Sequence, residues 1–262
     1  MTLSPGRRVA LAGAVLAALL ALQGCATGPR TSPHDPFEPF NREVSKFNEG
    51  VDSVVLKPTA TFYRENVPPL VRTGVSNFFG NLGDAWSAVN SLLQLKFGDA
   101  AENTMRFSVN TVFGLGGLLD IASDANIERH REDFGKTLGH WGVPAGPYVV
   151  LPLLGPSTLR DTLALPLDYR GDLVRQFEGA GERNSLYVLR AVDVRSNLLR
   201  VGDVLESAAL DKYSFTRDAY LQRRRSLIEA GRPGRGNAGD DDYEYEEEGG
   251  APPANPPAAP SR

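Results

Sequence analysis

The sequence predicts a mainly α-helical fold, a single domain of amphipathic helices interrupted by irregular Gly- and Pro-rich segments. Three observations lead there. Between residues 35 and 230, apolar side chains recur every three or four positions, the period of a helix with one apolar face. Two long stretches, Phe107 to Ala122 and Thr137 to Leu159, are almost free of charge yet broken by glycines or prolines. The sole cysteine, Cys25, ends an apolar run near the N-terminus, so no disulfide framework is available to the rest of the chain.

The N-terminus reads as a targeting segment. Arg7 and Arg8 precede 14 uncharged residues, Val9 to Leu22, and then Gly24 and Cys25. A membrane-spanning helix needs about 20 apolar residues, so residues 1–24 are predicted to be a signal peptide. Cysteine directly after the cleavage point marks a bacterial lipoprotein, with Cys25 as the lipid attachment site, although Gln23 departs from the usual small residue. An ordinary signal peptide with an incidental cysteine is the alternative. Two or more acyl chains hold a protein firmly, at about 0.8 kcal/mol per buried methylene. Ala26, in place of an aspartate, fits sorting to the outer membrane, with residues 25–34 as a lipidated linker.

The first mature helix starts at Asp35-Pro36-Phe37-Glu38, where Asp35 can cap, Pro36 suits the first position and Glu38 can reach back. Phe37, Phe40, Val44, Phe47 and Val51 then form an aromatic-rich stripe. Two fates are open for it: packing in a core, or lying at a bilayer surface close to the anchor. Phe37, Phe40 and Phe47 are the candidate membrane-contact residues. Pro68-Pro69 opens a second helical run, whose period continues after Gly83-Asp84 with Trp86. Asp99 is placed to cap a third, running to Val112. Ser185 to Glu206 and Asp211 to Ile228 supply two more, the last ending in Arg223-Arg224-Arg225, read as a solvated helix end suited to the macrodipole, with contact to anionic lipid head groups as the alternative.

The two uncharged stretches fit this pattern less well. Gly114, Gly116 and Gly117 break a helix and let backbones approach closely, and are the candidate channel or hinge residues. Pro144, Pro147, Pro152 and Pro156 bar a spanning helix from the second stretch. Beside an anchor and an aromatic stripe, both are expected to contact lipid. From residue 231 onward the chain is Gly, Pro, Ala and acid, a composition expected to be disordered. That tail holds seven of the 32 acidic residues, so the domain itself is near neutral and shows no basic face for nucleic acid.

Catalytic constellations are scarce. His34, His130 and His140 lack metal-ligand spacing, and there is no nucleophile elbow, P-loop or dinucleotide fingerprint. Arg160-Asp161 reads as a structural ion pair or cap. No cofactor, metal or enzymatic activity is expected.

An ordered set of motifs carries a resemblance. It comprises Asp35-Pro36-Phe37-Glu38-Pro39-Phe40-Asn41-Arg42, Ser76-Asn77-Phe78-Phe79-Gly80-Asn81-Leu82, Arg106-Phe107, Asn110 to Gly117 and Asp120. It continues with Phe134 to Val143, Gly146-Pro147-Tyr148, Leu151-Pro152, Leu159-Arg160-Asp161, Arg217-Asp218-Ala219-Tyr220 and Gln222-Arg223. In this the chain resembles the MlaA (VacJ) lipoproteins, more loosely between Thr162 and Leu186 and not in the acidic tail. The resemblance implies a ring-shaped helical protein lying in the plane of the outer membrane, on its periplasmic side. It implies removal of phospholipids mislocalised to the outer leaflet, through a central channel to a periplasmic lipid carrier, in company with a trimeric porin. It places Gly114 to Gly117 in a helix-loop-helix region beside that channel. Two other classes stay open: a structural lipoprotein whose stripes are all core, and a lipid-hydrolysing enzyme.

Overall fold

A computed structural model describes residues 35–200, 202 and 211–231. The signal peptide, Cys25, the linker and the acidic tail from residue 232 lie outside the described residues. Helix α1, Glu38–Val51, runs through a π-helical turn at Asp52–Leu56 into α2, Lys57–Asn66. Pro68 and Pro69 then start α3, Pro69–Leu93, because proline's fixed φ suits a first turn and its missing N–H costs nothing there. Helix α4, Phe97–Val112, is followed by the glycine loop and the single turn α5, Ile121–Asp124. Next come α6, Phe134–His140, a two-stranded antiparallel hairpin of β1, Tyr148–Leu151, and β2, Gly155–Thr158, and α7, Leu159–Gly171. A 3₁₀ turn, Leu173–Gln176, leads to α8, Ala180–Asn197, and α9, Lys212–Ala230, completes the described residues.

The mainly helical prediction holds, with two local differences. Asp35 does not cap α1; it is fully buried, accepting hydrogen bonds from Asn41 Nδ2 at 2.8 Å and the Tyr213 hydroxyl at 2.5 Å. Asp99 sits inside the first turn of α4 rather than capping it, where an acid still opposes the macrodipole favourably. Helix α3 runs on through Gly83-Asp84, as the continued period predicts. Gly80 serves close approach, since a Cβ there would meet the Arg129 guanidinium at 3.1 Å, whereas Gly83 has open space.

Packing joins α3 to α4, α2 to α8, α6 to α7, α1 to β1, and α9 to both α6 and β2. The distribution of polarity is the reverse of a water-soluble bundle. Among the described residues, the largest fully buried side chains include Arg106, Asn41, Asn81, Asn90, Asn103, Asn110, Asp35 and Asp84. Large apolar side chains point outward from nearly every helix, among them Phe62, Leu70, Phe97, Val112, Phe113, Leu163 and Val188. Soluble monomers rarely expose continuous apolar surface of this kind. Among the described residues, no helix is long and apolar enough to cross a membrane.

Candidate functional site

Helix α1 shows how the apolar exterior arises. Residues on a helix advance by about 100° each, so Phe40 and Phe47 share one side and Asn41 and Asn48 share another. The fold uses the second. Asn41 donates to Tyr148 O at 3.0 Å and accepts from Val150 N at 2.9 Å. Asn48, two turns on, donates to Leu151 O at 3.0 Å and accepts from Leu153 N at 2.8 Å. Two side-chain amides thus complete the edge of β1 as a neighbouring strand would. Val44 packs beside them against Tyr148, Val150 and Tyr213. Phe40 and Phe47 are left 51% and 55% exposed, and Phe37 is exposed as well. The three phenylalanines of the stripe therefore stay outside the core, while Val44 joins it.

The glycine loop follows α4. Gly116 N donates to Thr111 O at 3.0 Å and Gly117 N to Asn110 O at 2.9 Å, which satisfies the last carbonyls of the helix. The three glycines meet different demands. Gly116 and Gly117 have φ of +73° and +94°, and Leu115 between them and Gly114 is also left-handed at +53°. A Cβ on Gly117 would lie 2.6 Å from Asn81 Nδ2, and one on Gly114 would lie 2.3 Å from Leu119 O. The loop rests on α3, where Asn77 donates to Leu118 O at 3.2 Å. Its apolar residues Phe113, Leu115, Leu118 and Leu119 face outward.

Beneath the loop lies a buried charge cluster. Arg106, 1% exposed, donates to both Asp120 carboxylate oxygens at 2.7 and 2.9 Å, to Ser123 Oγ at 3.0 Å, and to Ile127 O. Arg129 donates to Asp84, whose carboxylate also lies 3.6 Å from Arg106. Burial pushes the Asp120 carboxyl up, but hydrogen bonds from Ser123 and Asn110 and the charges of Arg106 and Arg129 hold it at about 2. Asp84 goes the other way, raised by burial against the same two arginines.

A second cluster ties α9 to the hairpin side. Arg224 donates to both oxygens of Asp133 at 2.6 and 2.5 Å and to Asp161 Oδ2 at 2.9 Å. Burial raises Asp161, but Arg224 and Arg160 more than offset it and leave it below its ordinary value. Arg224 is thus a partly buried keystone, not part of a solvated helix end; Arg223 and Arg225 remain exposed. Gly135 makes the approach possible, since a Cβ there would lie 2.5 Å from Asp161 Oδ1. Arg160-Asp161 is the structural pair expected, at 2.9 Å. Beside this cluster, α6, the 142–147 segment, Thr158 and α9 enclose a cavity of about 550 Å³.

The uncharged stretch from Thr137 to Leu159 is divided in its surroundings. Tyr148 and Val150 are core, while Trp141, Val143, Leu153 and Leu154 are exposed. The fold also assembles one group the histidine spacing did not reveal: Glu102, Glu128 and His130 bring ligand-type atoms within 4.8 Å of one another. His130 Nε2 lies 2.5 Å from Glu102, a hydrogen-bonded pair that accounts for the geometry.

The model of the MlaA lipoprotein family matches residues 33–227. The chain belongs to the MlaA lipoprotein family. It is 35% identical to the intermembrane phospholipid transport system lipoprotein MlaA of Escherichia coli K12, over 80% of this chain and 85% of that one. The corresponding Haemophilus influenzae lipoprotein is 35% identical, over 83% of this chain and 91% of that one. A solved structure described as "Structural basis for maintenance of bacterial outer membrane lipid asymmetry" superposes with a TM-score of 0.63 at 35% identity, covering 74% of this chain and 98% of the other. In this MlaA chain the quoted motifs coincide with the interior polar contacts: Asp35 and Asn41, Arg106 with Asn110 and Asp120, Gly135 with Asp161, and Arg217 on Asp35. Sequence reading missed Asn41, Asn48 and Arg224 as structural centres. The seven-residue spacing of the two asparagines on one helix side was the available signal.

Proposed function

We propose that this chain is an outer-membrane lipoprotein, anchored at Cys25 on the periplasmic side, that removes phospholipids mislocalised to the outer leaflet. On this reading the helices form a ring in the membrane plane, and lipid passes through a central channel to a periplasmic carrier while the protein sits beside a trimeric porin. The observation that carries the reading is the reversed polarity of the fold. Exposed Phe40, Phe47, Phe62, Phe97 and Phe113 offer apolar surface to acyl chains, while Arg106, Asp84, Asp120 and the buried asparagines keep polar groups inside. In water such an exterior is a liability; against lipid it removes apolar area from water, at about 25 cal/mol per Å². The names of the E. coli and H. influenzae relatives support the phospholipid assignment. Moving an intact lipid breaks no covalent bond, so the task calls for neither a nucleophile nor a cofactor.

The test is complementation. In cells lacking their own copy, an outer-leaflet acyltransferase reports phospholipid at the surface. Expressing this chain should return the reporter to its low level. Cys25→Ser should block acyl labelling, because a hydroxyl does not replace the thiol in acyl transfer, and should reduce complementation. A surface signal that stays high while the chain is abundant and lipidated would reject the function; unchanged acyl label on Cys25→Ser would reject the anchor.

A further inference from the structure

Helix α4 and the segment after α5 bring together ligand-type side chains that the lipid-facing account does not use. Asp99 and Glu102 lie three residues apart on α4, so they share one side of the helix. His130 comes over that side. Its backbone is fixed there by the buried Asn103, which accepts from His130 N at 3.1 Å and donates to His130 O at 2.8 Å. Three carboxylates stand around the imidazole. Glu102 Oε2 lies 2.5 Å from Nε2, Glu128 Oε2 lies 4.0 Å from the same nitrogen, and Asp99 Oδ2 lies 3.9 Å from Nδ1. The His130–Glu102 hydrogen bond accounts for one of the three. Among the described residues, none of these carboxylates has a lysine or arginine partner, and the adjacent Arg129 is spent on Asp84. The acids of the buried clusters differ, since Asp84, Asp120, Asp133 and Asp161 each have an arginine. Three negative charges thus converge on one imidazole, which carries at most one positive charge.

The distances suit a small divalent cation. Bonds of about 2.0–2.2 Å in tetrahedral array put neighbouring ligand atoms about 3.3–3.5 Å apart. The separations of 2.5 and 4.0 Å bracket that value, and the ligand atoms of Glu102, Glu128 and His130 all lie within 4.8 Å of one another. Both glutamates are exposed enough to adjust by side-chain rotation. An imidazole nitrogen among carboxylate oxygens favours zinc over calcium or magnesium, which take oxygen ligands. Asp99 stands across the ring, in the place of the carboxylate that orients a metal-bound histidine and keeps its proton on Nδ1.

We infer that Glu102, Glu128 and His130 Nε2 bind one zinc ion, with water completing its shell and Asp99 as a positioning residue. The ion takes the place of the proton between Nε2 and Glu102, which passes to solvent. It joins α4 to the 125–130 segment next to Arg129, and so braces from outside the Asp84 and Asp120 cluster beneath the glycine loop. The site does not depend on the phospholipid reading.

The test uses the untagged, lipidated full-length chain in detergent, stripped of metal with a chelator and titrated with zinc chloride by calorimetry. Melting temperature is measured with and without the ion. The wild type should bind one zinc ion and melt higher with it, because a ligand held only by the folded state stabilises that state. His130→Gln and Glu128→Gln should each weaken zinc binding at least about tenfold, the loss seen even for outer-shell partners of a metal, and Asp99→Asn about tenfold. The Glu128 side chain is 81% exposed and takes part in no other ion pair or hydrogen bond among the described residues. In chelator, Glu128→Gln should therefore melt as the wild type does, which separates lost metal from lost folding. Excess calcium chloride should not displace the zinc. Absence of saturable zinc uptake by the wild type overturns the proposal. Undiminished uptake by His130→Gln and Glu128→Gln also overturns it, because the ion would then be adventitious. Displacement of zinc by calcium at equal concentration overturns it as well, because the imidazole would then play no part.

Discussion

At Asp120 one carboxylate receives Arg106, Asn110 and Ser123 together, and its acidity follows. Its folded value is about 2 against an ordinary 3.8. A carboxyl depressed on folding contributes stability above its unfolded value, and that contribution is lost as pH falls from about 4 toward about 2. Asp84, raised by burial, works in the opposite sense, because keeping it ionised costs stability that protonation relieves. Thermal unfolding across this window should therefore fall more steeply for the wild type than for Asp120→Asn. Parallel curves would mean that Asp120 is not the group that titrates. The glycine loop gives a second residue-scale prediction. Gly116→Ala has open space around the new Cβ and only its φ to contend with, about 1–2 kcal/mol. Gly117→Ala adds the collision with Asn81, worth about 1–3 kcal/mol more. Gly114→Ala drives a Cβ into the backbone of Leu119 and should cost at least as much as Gly117→Ala. Melting temperatures should fall in the order 116, 117, 114. Equal small losses would fit a loose hinge better than a tightly fitted turn. On these contacts, Gly116→Val combined with Gly117→Val lowers the amount of folded protein rather than slowing a folded one.

Helix α1 separates fold from function within one element. Its fold contacts come from Asn41, Asn48, Val44 and Arg42, and its exposed side is aromatic. Asn41→Ala leaves Val150 N and Tyr148 O without their partner and should cost about 1–3 kcal/mol. Phe40→Asp with Phe47→Asp changes exposed positions, so the melting temperature should stay within a few degrees, while binding of the unlipidated chain to phospholipid vesicles should drop sharply. A large loss of folding stability, or undiminished vesicle binding, would show that the stripe packs against protein instead. Helix existence was legible along most of the chain because apolar side chains at three- and four-residue spacing mark helices whether the apolar side meets core or lipid. Which side packs was not legible in α1, because of the apolar stripe Val44 packs while its phenylalanines do not, and the strand-edge contacts come from polar Asn41 and Asn48, which apolar periodicity does not follow. The hairpin was hidden for a related reason: Pro147, Pro152 and Pro156 argued against a spanning helix without revealing that Asn41 and Asn48 would complete a strand edge. Arg224 read as a terminal cation because Asp133 and Asp161 are far from it in sequence.

Among the described residues, many polar side chains are buried and many large apolar ones are exposed, an arrangement that suits the proposed contact with lipid. Interior charges are held by mutual pairing, Arg106 with Asp120 and Arg224 with Asp133, so the inside stays polar without paying for isolated ions. On the proposed function, the glycine loop and the exposed aromatic side of α1 serve one lipid-handling body. The most direct measurement of that claim follows the lipid itself. A fluorescent phospholipid is placed in the outer leaflet of cells lacking their own copy, and its arrival at the inner membrane is timed with and without this chain. The account predicts that the chain speeds arrival and that the lipid arrives intact. Equal rates with the chain present at normal abundance, or the appearance of free fatty acid in place of the intact lipid, would contradict it.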